Sequence, residues 1–146
     1  MDVADAKDGG GEGGAPSARR SCLVVDDSRA VRRAVRRMLE ELGFTVREAE
    51  NGAQARAACR AALPDAVLLD WNMPVMDGLA FLRRARAEFG PEHPTIVLCT
   101  TEFALERIVE ALEAGAQEYV MKPFDAEILG DKFARLGLVS PRDNAA

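Results

Sequence analysis

Ala66-Val67-Leu68-Leu69-Asp70-Trp71-Asn72-Met73-Pro74 is an apolar run that ends on an acid and passes at once into a polar, proline-bearing turn. Two other stretches share its form. Cys22-Leu23-Val24-Val25 ends on Asp26-Asp27, and Tyr119-Val120-Met121 ends on Lys122-Pro123. If the three runs are parallel strands of one sheet, two carboxylate sites and one ammonium meet at the same edge. Open α/β sheets bind their ligands there, beside the carboxyl ends of the strands.

Outward from these runs, the chain alternates strand and helix from Arg19 onward. Strands are predicted at roughly 21–26, 44–49, 65–70, 94–100 and 117–122, with helices at roughly 28–42, 52–62, 78–89, 102–114 and 124–136. In the first helix Val31, Val35, Met38, Leu39 and Leu42 form one stripe at helical spacing, and Gly43 ends it. In the last, Leu129, Phe133 and Leu136 share a face; Gly130 weakens it by roughly 1 kcal/mol relative to alanine, and Gly137 and Pro141 stop it. Five βα units in a row predict an α/β fold, a doubly wound parallel sheet with right-handed crossovers. The flavodoxin-like order 2-1-3-4-5 is the usual solution, and it sets the ends of strands 1 and 3 side by side.

The chain has 146 residues, 48% hydrophobic and 29% charged, which suits one domain with a packed core. Residues 1–18 read as a flexible acidic tail with Gly9-Gly10-Gly11 and Gly13-Gly14, residues 19–138 as the domain, and 139–146 as a short polar end. Of the formal net charge of −5, the tail holds −3 through Asp2, Asp5, Asp8 and Glu12 against Lys7, which leaves −2 for the rest. No concentrated basic face for nucleic acid is expected. No apolar stretch approaches the ~20 residues that span a bilayer, and the acidic start has no signal-peptide core. Cys22, Cys59 and Cys99 are scattered in apolar surroundings and read as small core hydrophobes in a reducing compartment. A cytoplasmic monomer is expected.

Three carboxylates in one place repel one another, and a divalent cation relieves that repulsion. One of them can then attack a phosphoryl group while the lysine neutralises the incoming charge. Each motif also has a plainer reading. Asp26-Asp27-Ser28 could cap the helix that follows, and taken alone both readings stay open; beside Asp70 the site reading wins. Pro74 and Asp77-Gly78 are turn formers, so Asp77 is assigned to turn or helix-start chemistry. Thr100-Thr101 ends strand 4, as a cap or as a donor to a central anion. Lys122-Pro123 terminates strand 5, yet Lys122 is the cation that strand 5 carries to the cluster. His93 sits in the loop Pro91-Glu92-His93-Pro94 and reads as solvated. Arg29, Arg32, Arg33, Arg36 and Arg37 read as the wet face of helix 1, with docking as the second reading.

With these motifs in hand, residues 20–137 resemble the receiver domain of two-component response regulators, most closely the stand-alone chemotaxis type. The resemblance rests on Val25-Asp26-Asp27-Ser28, on Leu69-Asp70-Trp71-Asn72-Met73-Pro74 with Asp77-Gly78, on Thr100, and on Tyr119-Val120-Met121-Lys122-Pro123-Phe124. It implies that Asp70 accepts phosphoryl from a histidine of a sensor kinase or phosphotransfer protein. It also implies Mg²⁺ on Asp27 and Asp70, with the backbone carbonyl of Asn72, and with Asp26 acting through water. Mg²⁺ suits such a site because it keeps several waters and takes few carboxylates. Lys122 would pair with a phosphoryl oxygen, Thr100 would swing to bond another, and Tyr119 would rotate inward behind it. The Lys122–Pro123 peptide would be cis. Thr101 departs from the pattern, standing where a small alanine is common, and its bulk would narrow access to Asp70.

The reading that follows is a signalling switch rather than an enzyme acting on outside substrates. A dehalogenase-like phosphatase would want a second acid two residues after the nucleophile, where this chain has Asn72. A flavodoxin relative would want a phosphate-cradling loop where Asp26-Asp27 would repel the phosphate. With no output domain expected, the output would be contact with another protein, a flagellar switch component or a kinase, or service as a phosphate sink or shuttle. The surface predicted for that contact is helix 4, strand 5 and helix 5. Phe103, Leu105, Ile108, Val109 and Leu112 are more apolar positions than one buried stripe needs, with Tyr119 and Lys132 beside them.

Overall fold

The computed structural model describes residues 20–73, 76–101 and 105–139. Five strands and five helices alternate: β1 Ser21–Val25, α1 Arg29–Glu41, β2 Thr45–Ala49, α2 Gly52–Ala61, β3 Ala66–Asp70, α3 Gly78–Phe89, β4 Thr95–Thr100, α4 Leu105–Ala114, β5 Glu118–Met121 and α5 Ala126–Arg135. All strand pairs are parallel and the order is β2-β1-β3-β4-β5. This is the flavodoxin-like order predicted from the alternation.

Period-two alternation along the strands divides the core into two layers. Leu23, Val25, Val67, Leu69, Ile96 and Leu98 face one way and pack with Ala55 of α2, Phe81 and Leu82 of α3, and Ala111 of α4. Cys22, Val24, Leu68, Val97 and Val120 face the other way, against Val35 and Leu39 of α1 and Leu129 and Phe133 of α5. Full burial of a side chain such as Leu39 contributes roughly 1.5–3 kcal/mol. Phe44, just before β2, meets Phe133 edge to face at 5.4 Å between ring centres and closes this layer at the amino ends of the strands. The three cysteines are free and buried in these layers, as predicted.

The third predicted helix matches α3, while the first, second and last run two, one and three residues too long, chiefly because the caps Ser28, Leu42, Ala62, Asp125 and Leu136 were counted as helix. Ser28, Asn51, Asp77 and Asp125 are N-caps whose side chains accept N–H bonds from Val31, Gln54, Ala80 and Ile128. Asp77 is therefore the helix starter that was predicted. Residues 102–104 of the fourth predicted helix lie outside the described residues. No helix among the described residues is long and apolar enough to cross a membrane.

One prediction about α1 fails. Arg32 does not lie on a wet face: it is 7% exposed. Its position falls between Val31 and Val35, on the side turned to β2, where its Nε donates to Glu48 at 3.0 Å and Nη1 to the Asp26 carbonyl at 2.7 Å. Arg36 is half-buried and reaches the other Glu48 oxygen at 2.7 Å. Arg29, Arg33 and Arg37 are exposed, as read from the sequence.

Candidate functional site

Strand register brings the acids together. Val25 pairs with Leu69, so the next residues, Asp26 and Asp70, stand side by side at the carboxyl edge. The ladder runs on past the strands: Asp26 N–H donates to Ala49, Trp71 N–H to Cys99 and Lys122 N–H to Thr100. These bonds hold the three edge segments in place before any side chain acts. Lys122 then reaches across, with Nζ 2.8 Å from Asp26 Oδ2 and 3.1 Å from Asp70 Oδ1.

One carboxylate oxygen from each of Asp26, Asp27 and Asp70 lies within 4.8 Å of the others. Asp26 and Asp70 are buried and Asp27 is exposed, so the cluster opens to solvent on one side. The capping reading is resolved by Ser28, which caps α1, while Asp26 Oδ1 accepts the Ser28 N–H at 2.8 Å. Burial raises the Asp70 pKa above its ordinary value; Lys122 opposes this, and Asp26 and Asp27 add to it. Burial alone would lower the Lys122 pKa, but hydrogen bonds and attraction from Asp26 and Asp70 outweigh it and hold the pKa up. One ammonium thus faces three acids, a deficit of positive charge that a hard oxygen-seeking divalent cation would fill. The donor set fits Mg²⁺.

Thr100 is buried at the tip of β4, beside β3, and Thr101 is exposed after it. Asn72 is exposed two residues past Asp70. Trp71 is buried, with the Arg107 guanidinium 5.9 Å from the ring centre. The turn after Asp70 is pinned at its far end by two glycines. Gly78 N–H donates to Trp71, and a Cβ at Gly78 would lie 2.6 Å from the Asp70 carbonyl oxygen. Gly52, on α2, donates to Met76, and a Cβ there would lie 2.8 Å from both the Met76 carbonyl oxygen and Cγ. Pro74 and Val75 lie outside the described residues. The Lys122–Pro123 peptide is cis, as the resemblance implied, and so is His93–Pro94, which was not foreseen. His93 is exposed.

The structure divides the predicted output surface. Leu105 is 70% exposed, Val109 and Leu112 are exposed, and so is Ile128 of α5. Ile108 is 5% exposed and belongs to the core, because it lies on the sheet side of α4 with Ala111. Contrary to the expectation from the sequence, it is no part of that surface. Phe103 lies outside the described residues. Tyr119 is half-buried, with Lys132 Nζ 4.8 Å above its ring and 3.5 Å from Glu118.

Sequence reasoning missed Arg32, Glu48, Gly52 and Arg107 as supports of this edge. An arginine inside an apolar stripe was a usable signal for the first; the other three depend on which elements become neighbours.

Comparison with known proteins identifies the family. A family model described as the response regulator receiver domain matches residues 22–134. The chemotaxis protein CheY of Pseudomonas aeruginosa is 37% identical over 115 residues, covering 78% of this chain and 93% of that protein. CheY-3 of Vibrio cholerae is 37% identical over 115 residues, covering 78% and 88%. Among solved structures, CheY4 of Vibrio cholerae aligns with a TM-score of 0.76 at 34% identity, covering 81% of this chain and 98% of that one. A CheY-like receiver domain protein from Methanospirillum hungatei aligns at 0.74 and 27% identity, covering 82% and 94%. A sheet of this order, carrying these acids and this lysine at its carboxyl edge, places the chain in the response regulator receiver domain family, among its CheY-like members.

Proposed function

We propose that this chain is a phosphorylation switch in a two-component relay, with residues 19–138 as the receiver domain and Asp70 as the phosphoacceptor. The observation that carries the reading is Lys122 held between Asp26 and Asp70 at the open end of the sheet. An Asp70 carboxylate oxygen attacks phosphorus, the bond from phosphorus to the donor histidine nitrogen breaks, and that nitrogen keeps the electron pair. Lys122 pairs with a phosphoryl oxygen, and the Thr100 hydroxyl donates to another. Asp26, Asp27, Asp70 and the Asn72 carbonyl would hold Mg²⁺, which supplies charge neutralisation for the incoming group. Water later cleaves the acyl phosphate, restoring the Asp70 carboxylate and releasing phosphate. The chain thus acts on its own phosphoryl group alone.

The donor is a sensor histidine kinase or phosphotransfer protein, and the acceptor cycle runs in the cytoplasm on a monomer. Output passes through α4, β5 and α5, where Leu105, Val109, Leu112, Tyr119 and Lys132 meet a protein target. The CheY relatives favour a chemotaxis or motility target over service as a phosphate sink. Incubation with acetyl phosphate and Mg²⁺ tests the core of this reading. One alkali-labile phosphoryl group is expected per chain, with none on Asp70→Asn; undiminished labelling of that variant overturns the assignment.

A further inference from the structure

We propose that the exposed basic face of α1 is a docking surface for the chain's own acidic N-terminal segment, residues 1–18. The proposal begins with an imbalance on α1. Arg32 and Arg36 share Glu48, and Arg36 also pairs with Glu40. Arg29, Arg33 and Arg37 are exposed and have no carboxylate partner among the described residues. They recur at intervals of four, so they form one line along the helix, and like charges at that spacing repel. On α2 the contrast is plain, because Arg56 and Arg60 both pair with Glu88. An open cleft of about 430 Å³ runs along the α1 line, bordered by Arg29, Arg33, Arg36, Arg37, Glu40 and Glu48.

The occupant follows from charge, attachment and length. Residues 1–18 hold Asp2, Asp5, Asp8 and Glu12 against Lys7, so the segment is negative. It joins the domain beside the C-terminal end of α1: Phe44 N–H donates to Leu39 of that helix, and the next N–H, of Thr45, donates to the Arg20 carbonyl. From there the segment needs to run back along a helix of about 20 Å, at 1.5 Å per residue. A glycine-rich chain of this length has a root-mean-square span of about 23 Å and a limit near ~60 Å. Tethering at that distance gives an effective concentration in the millimolar range, enough for a weak ionic contact to be populated. The contact does not depend on the phosphorylation reading.

A nitroxide at Ala4→Cys in the full chain tests the contact directly, since Cys22, Cys59 and Cys99 are buried and the label goes to position 4. Amide signals of Arg29, Arg33 and Arg37 are expected to lose half or more of their intensity at low salt, relative to Arg60 and Arg84. The loss should vanish in about 1 M NaCl, where the screening length is ~3 Å. It should also vanish when Asp2, Asp5 and Asp8 are changed to Asn and Glu12 to Gln, substitutions that leave the folded body untouched. Equal broadening on all faces, or broadening that survives neutralisation of the four acids, overturns the proposal. So does broadening of an isotope-labelled chain by a separate spin-labelled chain at the same concentration, because the occupant would then be a second copy. Acetyl phosphate labelling of Asp70 is read separately and bears on the phosphoacceptor alone.

Discussion

Lys122 supplies the positive charge that Asp26 and Asp70 share, and its removal deepens the site's deficit. Lys122→Ala leaves Asp26 and Asp70 facing each other with no cation, at positions where both acids are buried. Breaking a buried pair costs about 3–5 kcal/mol, whereas an exposed pair is worth below about 1 kcal/mol. With Lys122 partly exposed, the expected loss lies between these, and denaturant unfolding measures it. Saturating Mg²⁺ should shrink the difference from wild type, because the ion replaces the missing charge. A loss that is the same with and without Mg²⁺ would separate the lysine from the metal site. Thr101 belongs to this scale as well. It is exposed directly after the buried Thr100, and Thr101→Ala is expected to speed autodephosphorylation or small-donor labelling a few-fold without altering Mg²⁺ affinity. Unchanged or slower rates would remove the steric account.

The α1–β2 clamp makes a prediction about pH at the scale of elements. The Glu48 pKa is lowered, chiefly by the hydrogen bond from Arg36, against burial and with help from Arg32. A carboxylate with a lowered folded pKa stabilises fully above its unfolded value, near 4.3, and loses that contribution as pH falls through the folded pKa. Glu48→Gln should therefore unfold more easily than wild type at neutral pH, by about 1–3 kcal/mol, and the gap should close below about pH 4. A gap that persists in acid would show packing rather than charge. On α4 the two faces separate cleanly. Val109→Asp is expected to leave stability within about 0.5 kcal/mol and to weaken binding of the phosphorylated chain to its output partner. Ile108→Asp buries a charge and should cost ~3 kcal/mol or more, so its effect on output would report folding. Tight output binding by Val109→Asp would move the output surface elsewhere.

For the molecule as a whole, the proposed Mg²⁺ site would tie chemistry to stability. An ion that binds the folded chain alone stabilises it by about 2.7 kcal/mol at a hundredfold excess over Kd, a rise in Tm of several degrees. Asp27→Ala should abolish that rise while keeping the fold, and a full rise in the variant would exclude Asp27 as a ligand. Much of the architecture was legible because five strands and five helices each announced themselves by local period, and a parallel sheet leaves few ways to connect them. Asp26, Asp70 and Lys122 were legible for the same reason: each ends a strand, and the order sets the ends together. What stayed hidden depended on neighbours far apart in the chain. Arg32 looked like one more surface arginine until β2 brought Glu48 beneath it, and Ile108 looked like surplus apolar area until α4 turned it to the sheet.

Gly52 sits on a helix that carries none of the reacting groups, yet its bare Cα is pressed against Met76 in the turn that begins at Asp70. A methyl group there must push the turn, and Gly78 at the turn's other end leaves it little room to yield. A genetic screen for signalling-defective alleles should thus recover position 52 alongside the acids. Such an allele would accumulate to normal levels and bind its partners, and it would fail in the timing of the phosphoryl group.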